Sequence, residues 1–129
     1  MPLVRVTLLK GKSPEYLDAV SKGIYDALVK SYAMPEGDHF QIFEQKEPSE
    51  LRFDRNFVTK VPRSDDFMIV NIKADARRVG EKDALYASIA DNLSKSPGIN
   101  PQDIFLSLDV NTYLEDWSFG NGLSAAKAY

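Results

Sequence analysis

Few side chains in this sequence could transfer a proton or attack a substrate near neutral pH. Its 129 residues contain no cysteine and a single histidine, His39. The absence of cysteine excludes a disulfide framework, a cysteine-ligated metal or cluster, and a thiol nucleophile. One histidine argues against multi-histidine zinc sites and most Ser-His-Asp chemistry. The acid–base groups that remain are carboxylates, lysines, arginines and the terminal amine.

Pro2 is the first candidate for chemistry. Methionine before proline is ordinarily removed during synthesis, and removal of Met1 would leave Pro2 as a secondary amine at the chain terminus. An α-amino group titrates near ~7.7–8.0, so it can serve as an acid or a base at neutral pH. If Met1 is retained, Pro2 is a tertiary amide and has no such chemistry. The plain alternative is that Pro2 only opens a strand.

Three charged residues are further candidates. Asp38 falls at a predicted helix–strand junction, where it is either a turn residue or a carboxylate beside the Pro2 nitrogen. Such an anion would favour the ammonium form of the amine, or would polarise a water. Arg77 and Arg78 open a predicted helix, where basic residues oppose the helix dipole. That placement points to a bound anion such as a carboxylate, the alternative being a solvated pair. We expect His39 to face solvent or contact its strand rather than to act in catalysis.

Two runs of the sequence share a strand–helix–strand pattern that must position these residues. Ser13 and Pro14 are typical of an N-cap followed by the first helical residue. Apolar residues then recur at steps of three and four, which predicts one apolar stripe along the helix. The stripe consists of Leu17, Val20, Ile24 and Leu28. The predicted strands are 3–9, 39–44, 67–74 and 104–110, and the predicted helices are 14–32 and about 79–95.

The two runs are related by a shift of 65 residues. The shift superposes at least eight identical residues, including Asp38 on Asp103, whereas Pro2 falls on Phe67. This self-similarity indicates a duplicated β-α-β unit in which the chemistry of Pro2 occurs once per chain. Two such units form a four-stranded mixed sheet with both helices on one face, in the α/β (α+β) class. The other face must pack on something, and we expect it to be a second copy of the chain.

Composition and charge narrow the class of protein. The net charge of −3 and the scattered lysines give no electrostatic footprint for nucleic acid. The longest apolar runs are far short of the ~20 residues that a membrane span needs, and we expect no signal peptide and a cytoplasmic location. We interpret 1–129 as one domain with units 3–44 and 67–110, a linker 45–66 and an arm 111–129. The linker either adds a strand ribbon at the edge of the sheet or forms part of a site. The aromatic residues of the arm either dock on a neighbouring chain or form the wall of a pocket.

Several of these features together resemble the tautomerase superfamily, in particular its malonate semialdehyde decarboxylase branch. They are the Met-Pro start, the duplicated unit, the aspartate at the first junction and the tail Asp-Trp-Ser-Phe-Gly-Asn-Gly at 116–122. The resemblance covers essentially the whole chain. The tail is specific to the branch, whereas the repeat and the terminal proline belong to the whole superfamily. The resemblance implies a homotrimer that binds a small carboxylate substrate at the terminal proline and needs no metal or organic cofactor.

The resemblance also assigns residues. Pro2 matches the catalytic terminal proline, and Asp38, in Pro-Glu-Gly-Asp-His-Phe-Gln, matches the aspartate that assists the proline or a water. Trp117 and Phe119 match aromatic residues of the apolar pocket wall.

The arginines that hold the substrate carboxylate match less cleanly. In an Arg-x-Arg pair, the first position falls on Asp75, which is a departure that would repel an anionic acid, and the second falls on Arg77. Some relatives use a single arginine one step later, which is Arg78. We favour Arg78, with Arg77 as a second substrate-binding residue.

The resemblance implies an enzyme that decarboxylates a small 3-oxo acid of the malonate semialdehyde type, with Pro2 as general acid. The alternative on the same site is keto–enol tautomerisation of an arylpyruvate-like 2-oxo acid, with neutral Pro2 as general base. Hydration of an unsaturated acid, with Asp38 activating water, is a third reaction. A non-catalytic trimeric binding module is the alternative of another class.

Overall fold

A computed structural model describes residues 2–75 and 79–128. The chain alternates strands and helices in the predicted order. The long elements are β1 (Leu3–Leu9), α1 (Pro14–Ser31), β2 (Gln41–Lys46), β3 (Met68–Asp75), α2 (Val79–Lys95) and β4 (Ile104–Thr112). Two 3-10 turns, Pro101–Asp103 and Leu114–Asp116, and a short C-terminal helix, α3 (Ala125–Ala128), complete the chain.

The four strands form one mixed sheet in the order β2-β1-β3-β4, which confirms the predicted fold class. β1 is parallel to β2 and antiparallel to β3, and β3 is parallel to β4. The starts of β1 and β2 therefore meet the ends of β3 and β4 at one edge of the sheet, which we call the site edge. Pro2, Asp38 and Asp75 all belong to segments at this edge, although they are far apart in sequence.

The core lies between one face of the sheet and the two long helices. Val4, Val6 and Leu8 of β1 are buried against the helices, as are alternate residues of β3. The predicted stripe of α1 is confirmed, with three residues fully buried and Leu17 packed at the margin, and α2 contributes a matching stripe. The buried stripe residues are Val20, Ile24, Leu28, Leu85, Ile89 and Leu93. Each such side chain contributes roughly 1.5–3 kcal/mol through burial, so this face fixes the register of the sheet.

Local hydrogen bonds set the start of α1 and the start of β2. The Ser13 side chain accepts a hydrogen bond from the backbone N–H of Tyr16 at 3.1 Å, and Pro14 is the first helical residue, as predicted. The predicted strand 39–44 was wrong at its start, because β2 begins at Gln41. His39 still belongs to the preceding turn, where its N–H donates to the carbonyl of Gly37 at 2.9 Å.

The linker between the two units forms turns and does not add the edge ribbon, which was one of the two alternatives. Residues 47–66, all of which the structure describes, contain neither strand nor helix. Asp103, which is fully buried, holds the end of this linker: its two carboxylate oxygens accept from the Ser64 N–H and the Ser64 hydroxyl, each at 2.7 Å. Phe67 is buried beside this contact and stacks on Phe53. The linker is thus fixed at the sheet edge opposite the site edge.

The charge around that anchor acts on Tyr16. Burial, and to a smaller extent the nearby carboxylates of Asp66 and Asp103, together raise the pKa of its hydroxyl to about 12. Lys12 pairs with Asp66 and lies over the Tyr16 ring, with its Nζ 4.8 Å from the ring centre.

In the described ranges, 2–75 and 79–128, we find no helix with the length and apolarity that crossing a bilayer requires.

Candidate active site

Pro2 lies at the centre of the site edge. It is buried, and it contributes to two adjoining spaces on either side of the start of β1. The inner space is a narrow cleft under α1, lined by Pro2, Tyr25, Met34, Asp38 and Gln41 among others. The outer space is an open pocket of about 260 Å³ that Pro2 shares with Leu3, Phe40, Trp117, Ser118 and Phe119. Pro2 can therefore contact a molecule in the outer pocket and, on its other side, the residues of the inner cleft.

A tight turn presents Asp38 to the inner cleft. The Asp38 N–H donates to the carbonyl of Pro35 at 3.3 Å, and the Gly37 N–H donates to the Tyr25 hydroxyl at 2.8 Å. Gly37 has φ of 86°, a conformation that glycine adopts without strain. The half-buried Asp38 side chain lines the same cleft as Pro2. Pro2 and Asp38, which the sequence suggested would lie beside each other, thus line the same cleft.

The terminal arm folds onto its own chain. The Trp117 indole N–H donates to the Thr112 hydroxyl at 3.2 Å, and the Ala125 N–H donates to the Trp117 carbonyl at 2.8 Å. Phe119 lies 6.1 Å from Trp117 and stacks on Phe40 at 5.9 Å between ring centroids. These contacts set Trp117 and Phe119 as an aromatic wall beside Pro2. Their role as the substrate-pocket wall stays a prediction.

The end of β3 brings charge to the same edge. Asp75, the residue that departs from the arginine pattern, is its last residue, and its backbone carbonyl accepts from the buried Tyr32 hydroxyl at 3.1 Å. Arg77 and Arg78 follow in sequence but lie outside the described residues, as does Met1. The predicted grip of Arg78 or Arg77 on a carboxylate therefore stays a prediction.

His39 is exposed, in line with the expectation that it faces solvent or makes a structural contact. Its Nε2 lies 3.3 Å from the Ser21 hydroxyl, and its ring packs at 5.2 Å from the Tyr25 ring. These contacts connect the turn that carries Asp38 to α1.

Sequence reasoning missed Lys73, Tyr25 and Gln41 near the site. Lys73 places its Nζ 5.7 Å from the centre of the Trp117 ring, on the face opposite the helices. Tyr25 and Gln41 line the inner cleft with Pro2. The strand alternation signals which face Lys73 and Gln41 occupy, but nothing local in the sequence shows that they approach Pro2.

The arrangement places Pro2 between a cleft that contains the Asp38 carboxylate and an apolar pocket, so that removal of Met1 would leave an amine between the two. Comparison with known proteins identifies the family. Two family models described as tautomerase enzyme match the chain, one over residues 38–120 and the other over residues 2–52. The chain is 37% identical to the probable tautomerase YusQ of Bacillus subtilis (strain 168) over 123 residues, which is 95% of each protein.

Solved structures of the same fold extend the comparison. A malonate semialdehyde decarboxylase superposes with a TM-score of 0.88 at 24% identity, covering 94% of this chain and 92% of that one. The FG41 malonate semialdehyde decarboxylase inhibited by 3-bromopropiolate gives 0.83 at 31% identity, with 95% and 92% covered. A fused 4-OT symmetric trimer gives 0.76 at 25% identity, with 96% of each chain covered.

Fold and comparisons therefore define a class of protein, the tautomerase enzymes built on a duplicated β-α-β unit. The chain belongs to the tautomerase family, and it is an enzyme of the tautomerase kind.

Proposed function

We propose that this enzyme decarboxylates a small 3-oxo acid of the malonate semialdehyde type, with Pro2 as the general acid. The observation that carries the proposal is the position of Pro2 between the carboxylate-lined cleft and the aromatic pocket. Support also comes from the likeness to the FG41 malonate semialdehyde decarboxylase. The proposal requires that Met1 be removed, because only then does Pro2 carry an ionisable nitrogen.

In the proposed reaction, the protonated Pro2 nitrogen donates a hydrogen bond to the 3-carbonyl oxygen of the substrate. The bond between C1 and C2 breaks, its electron pair forms the enol double bond between C2 and C3, and the carbonyl oxygen takes the Pro2 proton as carbon dioxide leaves. The enol then gains a proton on C2 and loses the oxygen proton, which gives the aldehyde. Asp38 favours the cationic amine or positions a water.

The aromatic wall contributes by its polarity. A carboxylate placed against Trp117 and Phe119 is poorly solvated, whereas carbon dioxide and the delocalised enolate-like transition state are less penalised there. Arg78 grips the carboxylate and orients the scissile bond, with Arg77 adding positive charge. Asp75 at the end of β3 opposes the binding of an anionic acid, so the proposal requires the arginines to outweigh this repulsion.

Proton NMR of malonate semialdehyde tests the proposal. The protein is first checked by intact mass for loss of Met1, and acetaldehyde is then followed over time. We expect acetaldehyde to form faster than in buffer. No acceleration by a Met1-free sample would overturn the decarboxylase assignment and leave the tautomerase reaction, which a panel of enol acids then tests.

Arg78→Ala should lower kcat/KM about 10- to 100-fold, mainly through KM, because a guanidinium holds a carboxylate through two parallel hydrogen bonds. Arg77→Ala, its matched neighbour, should lower it less. Steady-state kinetics on both variants make the comparison. A larger loss for Arg77→Ala would reassign the carboxylate site, and no loss in either variant would contradict an arginine clamp here.

The second candidate function is keto–enol tautomerisation of a 2-oxo acid, and the 37% identity to a probable tautomerase favours it. Pro2 would then act as a neutral base that removes a proton next to the carbonyl. A Pro2 pKa near or below neutral identifies this reaction, and a pKa well above neutral identifies the decarboxylase. Hydration of an unsaturated acid is a third reaction, and it depends on Asp38 activating water.

We also propose that the chain assembles as a homotrimer, as the fused 4-OT structure does. The face of the sheet opposite the helices supports this, because it carries exposed Ile42 and Phe105, and the linker beside it exposes Phe57 and Val58. Apolar patches of this kind mark sites of association. Light scattering tests the assembly, and a stable species of 14.5 kDa would contradict it.

A further inference from the structure

Gln41 occupies a defined position beside Pro2. It opens β2, pairs with Val4 in the parallel ladder and lines the inner cleft with Pro2. Its side-chain Nε2 donates to the backbone carbonyl of Ser21 in α1 at 3.2 Å. Because a carbonyl oxygen only accepts hydrogen bonds, this contact fixes which end of the amide is nitrogen. The other end, Oε1, is therefore an acceptor held in a fixed orientation.

The Oε1 atom of Gln41 is buried and makes no hydrogen bond to any residue in 2–75 or 79–128. Buried acceptors are normally paired, and each exception calls for an explanation. The backbone donors around the cleft are already engaged: Val4 N–H donates to Phe40, Asp38 N–H to Pro35 and His39 N–H to Gly37. These three backbone donors of the described residues are therefore not available to the Gln41 Oε1 atom.

Removal of Met1 creates a further donor. The protonated Pro2 amine then carries two N–H bonds, one for a substrate oxygen and one for a second acceptor. We propose that Gln41 is a positioning residue whose Oε1 accepts one N–H hydrogen of the protonated Pro2 amine and holds that amine in its cationic form. This inference rests on the proposed function, in which Pro2 acts as an acid.

Other ionisable groups face the same site, and their effects must be kept apart. Asp38 and His39 reach it from the turn before β2, and Tyr25 from α1. From β3, Lys73 lies against the Trp117 ring, and Asp75 ends the strand at this edge. Arg77 and Arg78 follow Asp75 in sequence. Among these, Asp38 also favours the cation through its charge, whereas Gln41 acts through a neutral acceptor and so should be insensitive to salt.

The Gln41→Met variant tests the inference, because methionine keeps the length of the side chain and removes the acceptor. Protein labelled with 15N-proline and shown by intact mass to lack Met1 is titrated by NMR, in which the terminal amine is the proline nitrogen that ionises. We expect the pKa of Pro2 to fall by about one unit, at low and high salt alike. The control is Gln45→Met, an exposed position on the same strand, which should leave the pKa unchanged.

A second variant keeps the test decisive if Gln41→Met fails to fold. Gln41→Glu places a carboxylate at the same position and should raise the Pro2 pKa. An unchanged pKa in a folded Gln41 variant overturns the inference, even where decarboxylation is observed. A lowered pKa in Gln41→Met supports it even where malonate semialdehyde is not turned over, and in that case the proposed function alone fails.

Discussion

Pro2→Ala should lower kcat/KM for the substrate by about 10²- to 10⁴-fold, the range expected when a positioned general acid is lost. Alanine keeps an α-amine but removes the ring that fixes the nitrogen at the start of β1. The fold should survive, because it is Val4 that donates across to the segment of β2, through its N–H to the carbonyl of Phe40, the residue before β2, at 3.1 Å. Steady-state kinetics and circular dichroism measure the two effects separately.

A chain that retains Met1 is a second comparison, because it keeps the Pro2 ring and every later residue while the added Met1 converts the Pro2 nitrogen into an amide. There Pro2 is a tertiary amide without an N–H, and turnover should fall to the level of buffer. Treatment with a methionine aminopeptidase should restore it, with intact mass reporting the cleavage. Equal turnover by wild type and Pro2→Ala would contradict every mechanism that uses the proline and would leave the non-catalytic binding module as the explanation.

Asp103→Ala should lower the free energy of unfolding by about 3 kcal/mol, because it removes two charge-assisted hydrogen bonds and leaves two part-buried donors of Ser64 without this acceptor. Asp103→Asn should cost about half as much, since the amide keeps an acceptor for the Ser64 N–H. Denaturation in urea measures both variants.

The matched control for this loss is Asp91→Ala. Asp91 is exposed and pairs with Lys95 one turn along α2 at 3.0 Å, so its removal should cost less than about 0.5 kcal/mol. A loss in Asp103→Ala as small as that of the control would show that Ser64 finds other partners and that the linker is not held by this carboxylate.

The parts of the fold that follow from local pattern could be predicted from the sequence. The stripe of α1 repeats every three to four residues because one face of the helix is buried, and Ser13 and Pro14 mark its start through groups that bond within one turn. The repeat predicts a second helix with the same apolar stripe, and α2 indeed begins 65 residues after α1. The start of β2 could not be read this way, since Gly37, His39 and α1 together decide where the turn ends.

The candidate site, too, could be predicted from the sequence only in part. Topology explains why Pro2 and Asp38 meet, because the parallel pairing of β1 and β2 brings both starts to one edge. The direction in which the arm folds was open in the sequence, since Trp117 and Phe119 fit a neighbour's surface as well as their own chain's. Strand alternation indicates the face of the sheet that Gln41 occupies, but not its hydrogen bond to Ser21, because Ser21 is distant in sequence.

The contact between Asp103 and Ser64, at the sheet edge opposite the site edge, has a consequence for the number of reactive sites per chain. In the duplicated unit, Phe67 stands where Pro2 stands in the first unit, and Asp103 stands where Asp38 does. Phe67 is buried, and both oxygens of Asp103 are occupied by Ser64, so this second position offers neither an amine nor a free carboxylate. An electrophile that alkylates the reactive amine should therefore saturate at one equivalent per chain. The two units share a backbone topology but differ in role: the first carries the reactive proline, and the second carries the hydrogen bonds that fix the linker.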